Sequence, residues 1–294
     1  MTNIFLNDSE DIIDIRIDGV FKAVFTKDTP TAKGALSGLV SALVCRELTI
    51  ISILNNEPPI SNIGDRQLRF DINCRAKDGE LVNVEMCFNP KPFEPRRLEF
   101  YVAKLFTAQD IKGTGKGYLD LKQTYQIAIL AKEHFFNDEE FFHTFEYYDP
   151  KHLISLNGLS KIITLELPKL DTIVKKPASQ MNIPERWGVY LEYLTDKSKR
   201  SKINEIVELE EGIAMASEVL LTISRDEEER ARIMRAEKTE LDYISYMAWA
   251  KEQGHAEGRA EGRVEGIGIG EQKIIDLLKN GKSPEEIIRE YGSK

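Results

Sequence analysis

The sequence predicts an α/β domain followed by an all-α region, and three observations lead there. Up to about residue 170, β-branched runs that read as strands alternate with stretches of helical periodicity. Beyond that point the apolar spacing is helical throughout. Between the two lies PKLDTIVKKPASQMNIP, with Pro168, Pro177 and Pro184. Prolines at that density interrupt elements rather than sit inside them. The expected organisation is therefore an α/β domain over 1–170, a helical region over 171–253, and a glycine-repeat segment with a terminal helix pair over 254–294.

In chain order, Asp18 to Phe25 (DGVFKAVF) reads as a short helix with Phe21, Val24 and Phe25 inward. Thr31 is placed to cap a second helix over 32–47, apolar at Leu36, Leu39, Val40, Leu43 and Val44. TIISIL (49–54) is rich in β-branched residues and reads as a strand. Residues 67–88 hold two strands around the Asp78-Gly79 turn signal. Helical spacing returns over 95–109, with Leu98, Tyr101, Val102, Leu105 and Phe106 on one face. TYQIAIL (124–130), 143–149 and 161–167 read as further strands, and 185–195, 202–222 and 225–253 as helices with solvated, mixed-charge faces.

Glycines then recur at 254, 258, 262, 266 and 270, with Gly268 out of step. On a helix, a period of four forms a slowly drifting stripe that admits another backbone closely. So many glycines, at roughly 1 kcal/mol each against alanine, are equally compatible with a linker. Helix 271–279 ends at Asn280-Gly281, and Ser283-Pro284-Glu285-Glu286 is a capping box that opens a last short helix.

With 40 Lys and Arg against 49 Asp and Glu, the chain carries a formal charge of −9, so any anion it binds must meet a local basic patch. Three cysteines without zinc-site spacing fit a reduced compartment. The acidic opening MTNIFLNDSEDIID has no signal-peptide pattern, and no apolar run reaches the ~18 residues of a membrane span. A cytoplasmic protein with no membrane association is expected. The four histidines are scattered, with no H-x-x-x-H pair, and there is no G-x-S-x-G motif, which leaves zinc-protease and serine-hydrolase readings without support.

The chemistry concentrates in FDINCRAKDGELVNVEMCF, residues 70–88. A two-residue loop would mix polar and apolar residues on both faces of the hairpin. A three-residue loop (Lys77, Asp78, Gly79), with glycine as the left-handed bulge residue, sets Asp71 opposite Glu85, Asn73 opposite Asn83 and Arg75 opposite Leu81. The other face then collects Phe70, Ile72, Cys74, Ala76, Val82, Val84, Met86 and Phe88. A slip of one residue destroys that segregation, so the second register is expected. Carboxylates facing each other across a strand pair repel, and a hard divalent cation shared between them removes the cost.

Asp, an intervening hairpin, then Glu-x-(Lys or Gln) on the next strand resembles the metal site of PD-(D/E)XK nucleases. D-x-x-F-K-x-x-F at Asp18–Phe25, Arg97-x-x-x-Tyr101, the Gly117-Tyr118 turn, and the A-E-G-R repeat followed by L-L-x-x-G-x-S extend the resemblance along the chain. Their order is similar to that of the recombination-promoting nuclease and transposase family. The resemblance implies a restriction-endonuclease-like core, a helix plus a mixed β-sheet flanked by helices. It implies a metal-dependent DNA endonuclease that hydrolyses phosphodiester bonds in recombination or in the service of a mobile element. Asp71 and Glu85 would hold Mg²⁺, with Mn²⁺ or Ca²⁺ as substitutes, together with the Met86 carbonyl. The third position, normally Lys or Gln, is Cys87, which carries no positive charge and resists ionising beside two carboxylates. Lys22 and Lys104 are the candidates for a displaced cation. If neither serves, the alternative is a catalytically degenerate nuclease-fold protein that binds DNA or a partner.

Residues 91–122 hold seven basic against four acidic side chains in an otherwise acidic chain. Arg96, Arg97, Lys104, Lys112 and Lys116 are the expected nucleic-acid contacts, and a patch of this size predicts salt-sensitive binding with little sequence preference. Lys112 to Gly117 (KGTGKG) lacks the spacing of a nucleotide-binding P-loop and reads as a turn. Homo-oligomerisation through the C-terminal helices is expected from the glycine stripe.

Overall fold

The computed structural model describes residues 5–7, 9–56, 70–109, 111 and 117–291. The chain divides into two compact units, Met1–Glu237 and Lys238–Lys294. Helix α1 (Asp18–Thr26) buries Val20, Phe21, Val24 and Phe25, as its spacing dictates. Helix α2 (Pro30–Leu43) begins earlier than expected. The hydroxyl of Thr29, not Thr31, accepts from the Ala32 N–H at 3.1 Å, because Pro30 suits the first helical position, where no N–H is needed. It also ends earlier, where Cys45 takes a left-handed φ of +55°.

Strands β1 (Ile50–Ile53), β2 (Ile72–Ala76) and β3 (Leu81–Cys87) precede helix α3 (Glu94–Thr107). Strand β4 (Thr124–Leu130) follows, then β5 (Phe142–Phe145), β6 (Tyr148–Asp149), β7 (Ile154–Ser155) and β8 (Ser160–Glu166). Six of them form one mixed sheet in the order β1-β2-β3-β4-β8-β5, while β6 and β7 pair separately. The expected strand over 143–149 is thus divided between β5 and β6. Strands β3, β4 and β8 are parallel neighbours; at the flanks β2 pairs antiparallel with both β3 and β1, and β5 pairs antiparallel with β8. Every residue of β3 and β4 is buried, as expected where helices cover both faces of a parallel sheet.

The hairpin takes the predicted register, with Asn73 opposite Asn83 and Arg75 opposite Leu81. Gly79 has φ +87° and its N–H donates to the Ala76 carbonyl at 2.9 Å, closing the three-residue loop. One face of the sheet (Ile72, Cys74, Val84, Met86, Ile127, Ile129, Ile163, Leu165) joins α1 and α2 in the main core. Two residues leave the expected apolar face. Phe70 lies before the first paired residue of β2 and packs with Leu81, Tyr101 and Leu105, while Phe88, beyond β3, is exposed. The second face carries Asn73, Asn83, Glu85 and Gln126, and all four are buried beneath the side where α3 packs.

Helices α4 (Ile183–Tyr193), α5 (Arg200–Leu209) and α6 (Glu211–Arg225) follow. The single helix expected over 202–222 is broken at Glu210, whose backbone is extended. Trp187 and Tyr190 of α4 share the core with Phe21 and Phe25, and the Phe25 and Trp187 ring centroids are 6.2 Å apart. α2 and α6 meet backbone to backbone at Gly38 and Gly212, where a Cβ on Gly38 would lie 2.7 Å from the Gly212 Cα. The proline-rich segment therefore runs within one hydrophobic core rather than between two.

Helix α7 (Glu227–Lys279) continues through the whole glycine repeat. A Cβ added at any of these glycines meets nothing within 4 Å among the described residues. Gly281, at φ +88°, turns the chain, and Ser283 and Glu286 form the expected capping box of α8 (Pro284–Tyr291).

Candidate metal centre

Asp71 stands one residue before β2, its carbonyl accepting from the Asn56 side chain at 3.1 Å. Its carboxylate faces two donors. Oδ2 accepts from the Met86 N–H at 3.3 Å, and Oδ1 lies 3.0 Å from Lys22 Nζ. Lys22 also donates to Asp18 Oδ2 at 2.7 Å, so the i,i+4 ion pair of α1 extends across to the hairpin. Burial works against the Lys22 ammonium, but the Asp71 and Asp18 charges overcome it and hold its pKa above the ordinary value. Burial pushes the Asp71 carboxyl up, Lys22 opposes, and Asp18 adds to the rise.

Glu85, in the middle of the polar face of β3, is 1 % exposed. Its Oε1 accepts from Asn83 Nδ2 at 3.0 Å, and the same Asn83 nitrogen donates to Gln126 Oε1 at 2.9 Å. Arg97 Nη2 lies 2.8 Å from Glu85 Oε2, within ion-pair range. Its geometry leaves that oxygen without a hydrogen bond among the described residues. Burial pushes the Glu85 carboxyl up to about 8; Arg97 opposes this and the Asp71 charge adds to it.

Arg97 is where the structure departs furthest from expectation. It was expected to contact phosphate, and Lys22 or Lys104 to supply the cation missing at Cys87. Its guanidinium instead enters the carboxylate cluster. Nε donates to Glu94 Oε1 at 2.5 Å and Nη2 to Cys87 Sγ at 3.2 Å, while the group sits 5.2 Å from the Tyr101 ring centroid. A long, forked side chain on the first turns of α3 reaches the sheet beneath it; the charge travels from a neighbouring element instead of from the strand itself. Lys22 does reach a carboxylate, that of Asp71. Lys104 does not join them: it is exposed, with Nζ 5.7 Å from the Phe100 ring centroid. Arg96 is exposed, and Lys112 and Lys116 lie outside the described residues.

Sequence reasoning missed Glu94. It is buried in the first turn of α3, and its oxygen, a Glu85 oxygen and Cys87 Sγ all lie within 4.8 Å of one another. The i,i+3 spacing from Arg97 was the available signal. Burial, then the Glu85 charge, raises the Cys87 thiol well above its ordinary pKa, so it stays neutral. A second cluster, Asp138, His143 and Glu166, also gathers within 4.8 Å, but Lys169 Nζ already lies 2.9 Å from Asp138 and 2.8 Å from Glu166.

The donor set can be tested against a divalent ion. Asp71 and Glu85 offer hard oxygens, and the Glu85 Oε2 lone pairs lack a hydrogen bond among the described residues, which suits Mg²⁺. A neutral Cys87 thiol is a poor ligand for such an ion. The two carboxylates fit, and Cys87 does not.

A family model described as PD-(D/E)XK nuclease family transposase matches residues 15–250. The chain belongs to that family. The match contains α1, the hairpin, α3 and the whole sheet, and it runs on through α4, α5 and α6, which share their core. PD-(D/E)XK nucleases generally use divalent metals, and the family connects the chain to nuclease chemistry, mobile elements and DNA. Neither the curated proteins nor the solved structures contain a significant match. No helix among the described residues is long and apolar enough to cross a membrane.

Proposed function

We propose that this PD-(D/E)XK family member is a metal-dependent DNA endonuclease acting in recombination or transposition, with its site at Asp71, Glu85, Lys22 and Arg97. The observation that carries the reading is the Arg97 guanidinium, 2.8 Å from Glu85 and 3.2 Å from Cys87, which returns a positive charge to the place where the family pattern has Lys or Gln. Asp71, Glu85 and the Met86 carbonyl would hold Mg²⁺, or Mn²⁺ or Ca²⁺ in its place. Such an ion supplies Lewis-acid polarisation of a phosphoryl oxygen and acidifies water. The residues of the chain do the rest. Lys22 keeps Asp71 oriented and presents an ammonium to an incoming phosphate. Arg97, always charged, offsets the negative charge that develops as the phosphodiester is attacked. Asn83, held by Gln126, fixes the Glu85 carboxylate. Cys87 serves as a neutral neighbour of Arg97. The C-terminal helices α7 and α8 would bring copies of the chain together, in a cytoplasmic setting.

A second reading has one observation in its favour. Arg97 pairs with both Glu85 and Glu94, an arrangement that balances the buried charge without a metal and suits a nuclease-derived DNA-binding protein. Nicking of supercoiled plasmid with Mg²⁺, Mn²⁺ or Ca²⁺ separates the two. The wild type is expected to nick, Asp71→Ala and Glu85→Ala to abolish nicking, and Arg97→Ala to slow it by about 10²-fold, the scale of losing one charge-stabilising donor. Cys87→Ser should leave the rate within a few-fold. A wild type inert on plasmid and on single-stranded circles, yet active as Cys87→Lys, would establish the binding reading.

A further inference from the structure

We propose that the outward face of α3, with the ends of β3 and β4, is a stacking track for single-stranded DNA. This names the substrate class of the nuclease reading above and rests on it. Phe93, Arg96, Phe100 and Lys104 follow one another at spacings of three or four residues and so share one face of the helix. Phe93 is 59 % exposed and Phe100 50 %, about 10 Å apart along the axis at 1.5 Å per residue. Lys104 Nζ stands 5.7 Å from the Phe100 ring centroid.

The same pairing recurs where the strands end. Phe88, the residue after Cys87, is 48 % exposed, and Nζ of Lys132, just beyond β4, lies 5.6 Å from its centroid. Arg97, the residue after Arg96, enters the carboxylate cluster, and Phe88 follows Cys87 of that cluster, so both runs of rings start next in sequence to residues of the proposed site.

A single exposed phenylalanine needs no explanation. Three of them on the segments that lead away from the acidic centre, two with an ammonium over the ring, supply what an unpaired strand requires: a flat π face for the base and a nearby cation for the phosphate. Of the α3 carboxylates, Glu94 is buried against Arg97, while Glu99 is exposed three residues after Arg96 and borders the stripe, outnumbered by Arg96, Lys104 and Lys132. A duplex would satisfy the lysines and Arg96 equally well, but its bases are stacked on each other and offer the rings no free face. Charge alone therefore accounts for the cations but leaves the rings without a role.

The test is fluorescence anisotropy with the full-length chain in EDTA, using a labelled oligothymidylate and a duplex of the same length. Because no divalent ion is present, the readout does not depend on cleavage. Phe88→Ala, Phe93→Ala and Phe100→Ala should each weaken single-strand binding about ten-fold, leave duplex binding unchanged, and keep the slope of log affinity against log salt. Arg96→Gln with Lys104→Gln should instead flatten that slope. Phe→Leu variants, which keep apolar bulk without a π face, should behave as the alanines do and guard against a folding defect. Unchanged single-strand affinity in all three ring variants overturns the track, and so does a duplex that binds more tightly and is weakened equally. Ring-dependent binding without cleavage under any divalent ion upholds the track and removes the nuclease reading. Cleavage indifferent to the rings keeps the nuclease and overturns the track.

Discussion

Glu85 concentrates the cost and the use of this site in one side chain. A carboxylate buried this deeply prefers its proton, and the Arg97 charge beside it only partly offsets that preference. With its folded pKa near 8 against an ordinary 4.5, the native state binds the proton more tightly than the unfolded chain does. The stability this group contributes is therefore full below pH 4.5 and is lost as pH rises toward about 8. Glu85→Gln removes that loss. In EDTA its melting temperature relative to wild type should climb across that window and level off above it, by about 2–4 °C for each kcal/mol released. Calorimetry from pH 5 to 9 reads this directly, and a difference that stays flat would mean that Arg97 keeps Glu85 ionised throughout. A divalent ion should reverse the ranking, stabilising the wild type and not the variant.

Among the elements, the hairpin and the α2–α6 pair differ in how openly the sequence announces them. The register of β2 on β3 follows from alternation and from one glycine, since only the three-residue loop separates polar from apolar side chains and Gly79 supplies its positive φ. The contact of α2 with α6 has no such local signature. Gly38 and Gly212 lie far apart in sequence, and each reads alone as an ordinary weak point in a helix. Together they let two backbones touch, so a methyl group on Gly38 meets main chain that cannot rotate aside. Gly38→Ala, favourable by intrinsic helix propensity, should instead destabilise the fold by about 1–3 kcal/mol, the usual range for overpacking. Urea denaturation would show it, and a more stable variant would mean that the helices are free to separate.

At the scale of the molecule, the six-stranded sheet does not stand on the first 170 residues alone. Trp187, Tyr190 and Leu220 are wholly or almost wholly buried in the core that holds Phe21 and Ile127. A chain cut to 1–170 should therefore expose that core and fail to give a cooperative transition, whereas a domain boundary there would yield a soluble, folded fragment. Local pattern was enough to predict the mixed α/β class, most of the elements and the hairpin register, because periodicity and turn chemistry act over a few residues. Lys22 was legible both as a charge at helical spacing from Asp18 and as a candidate for the displaced cation, though Asp71 as its particular partner was not. Only the tertiary structure decided that the polar side of the hairpin is buried beneath α3, that Arg97 and Glu94 come down onto it, and that α4 to α6 complete the same core. Each of those depends on which elements pack together, and packing over long sequence separations leaves no periodic trace in the chain.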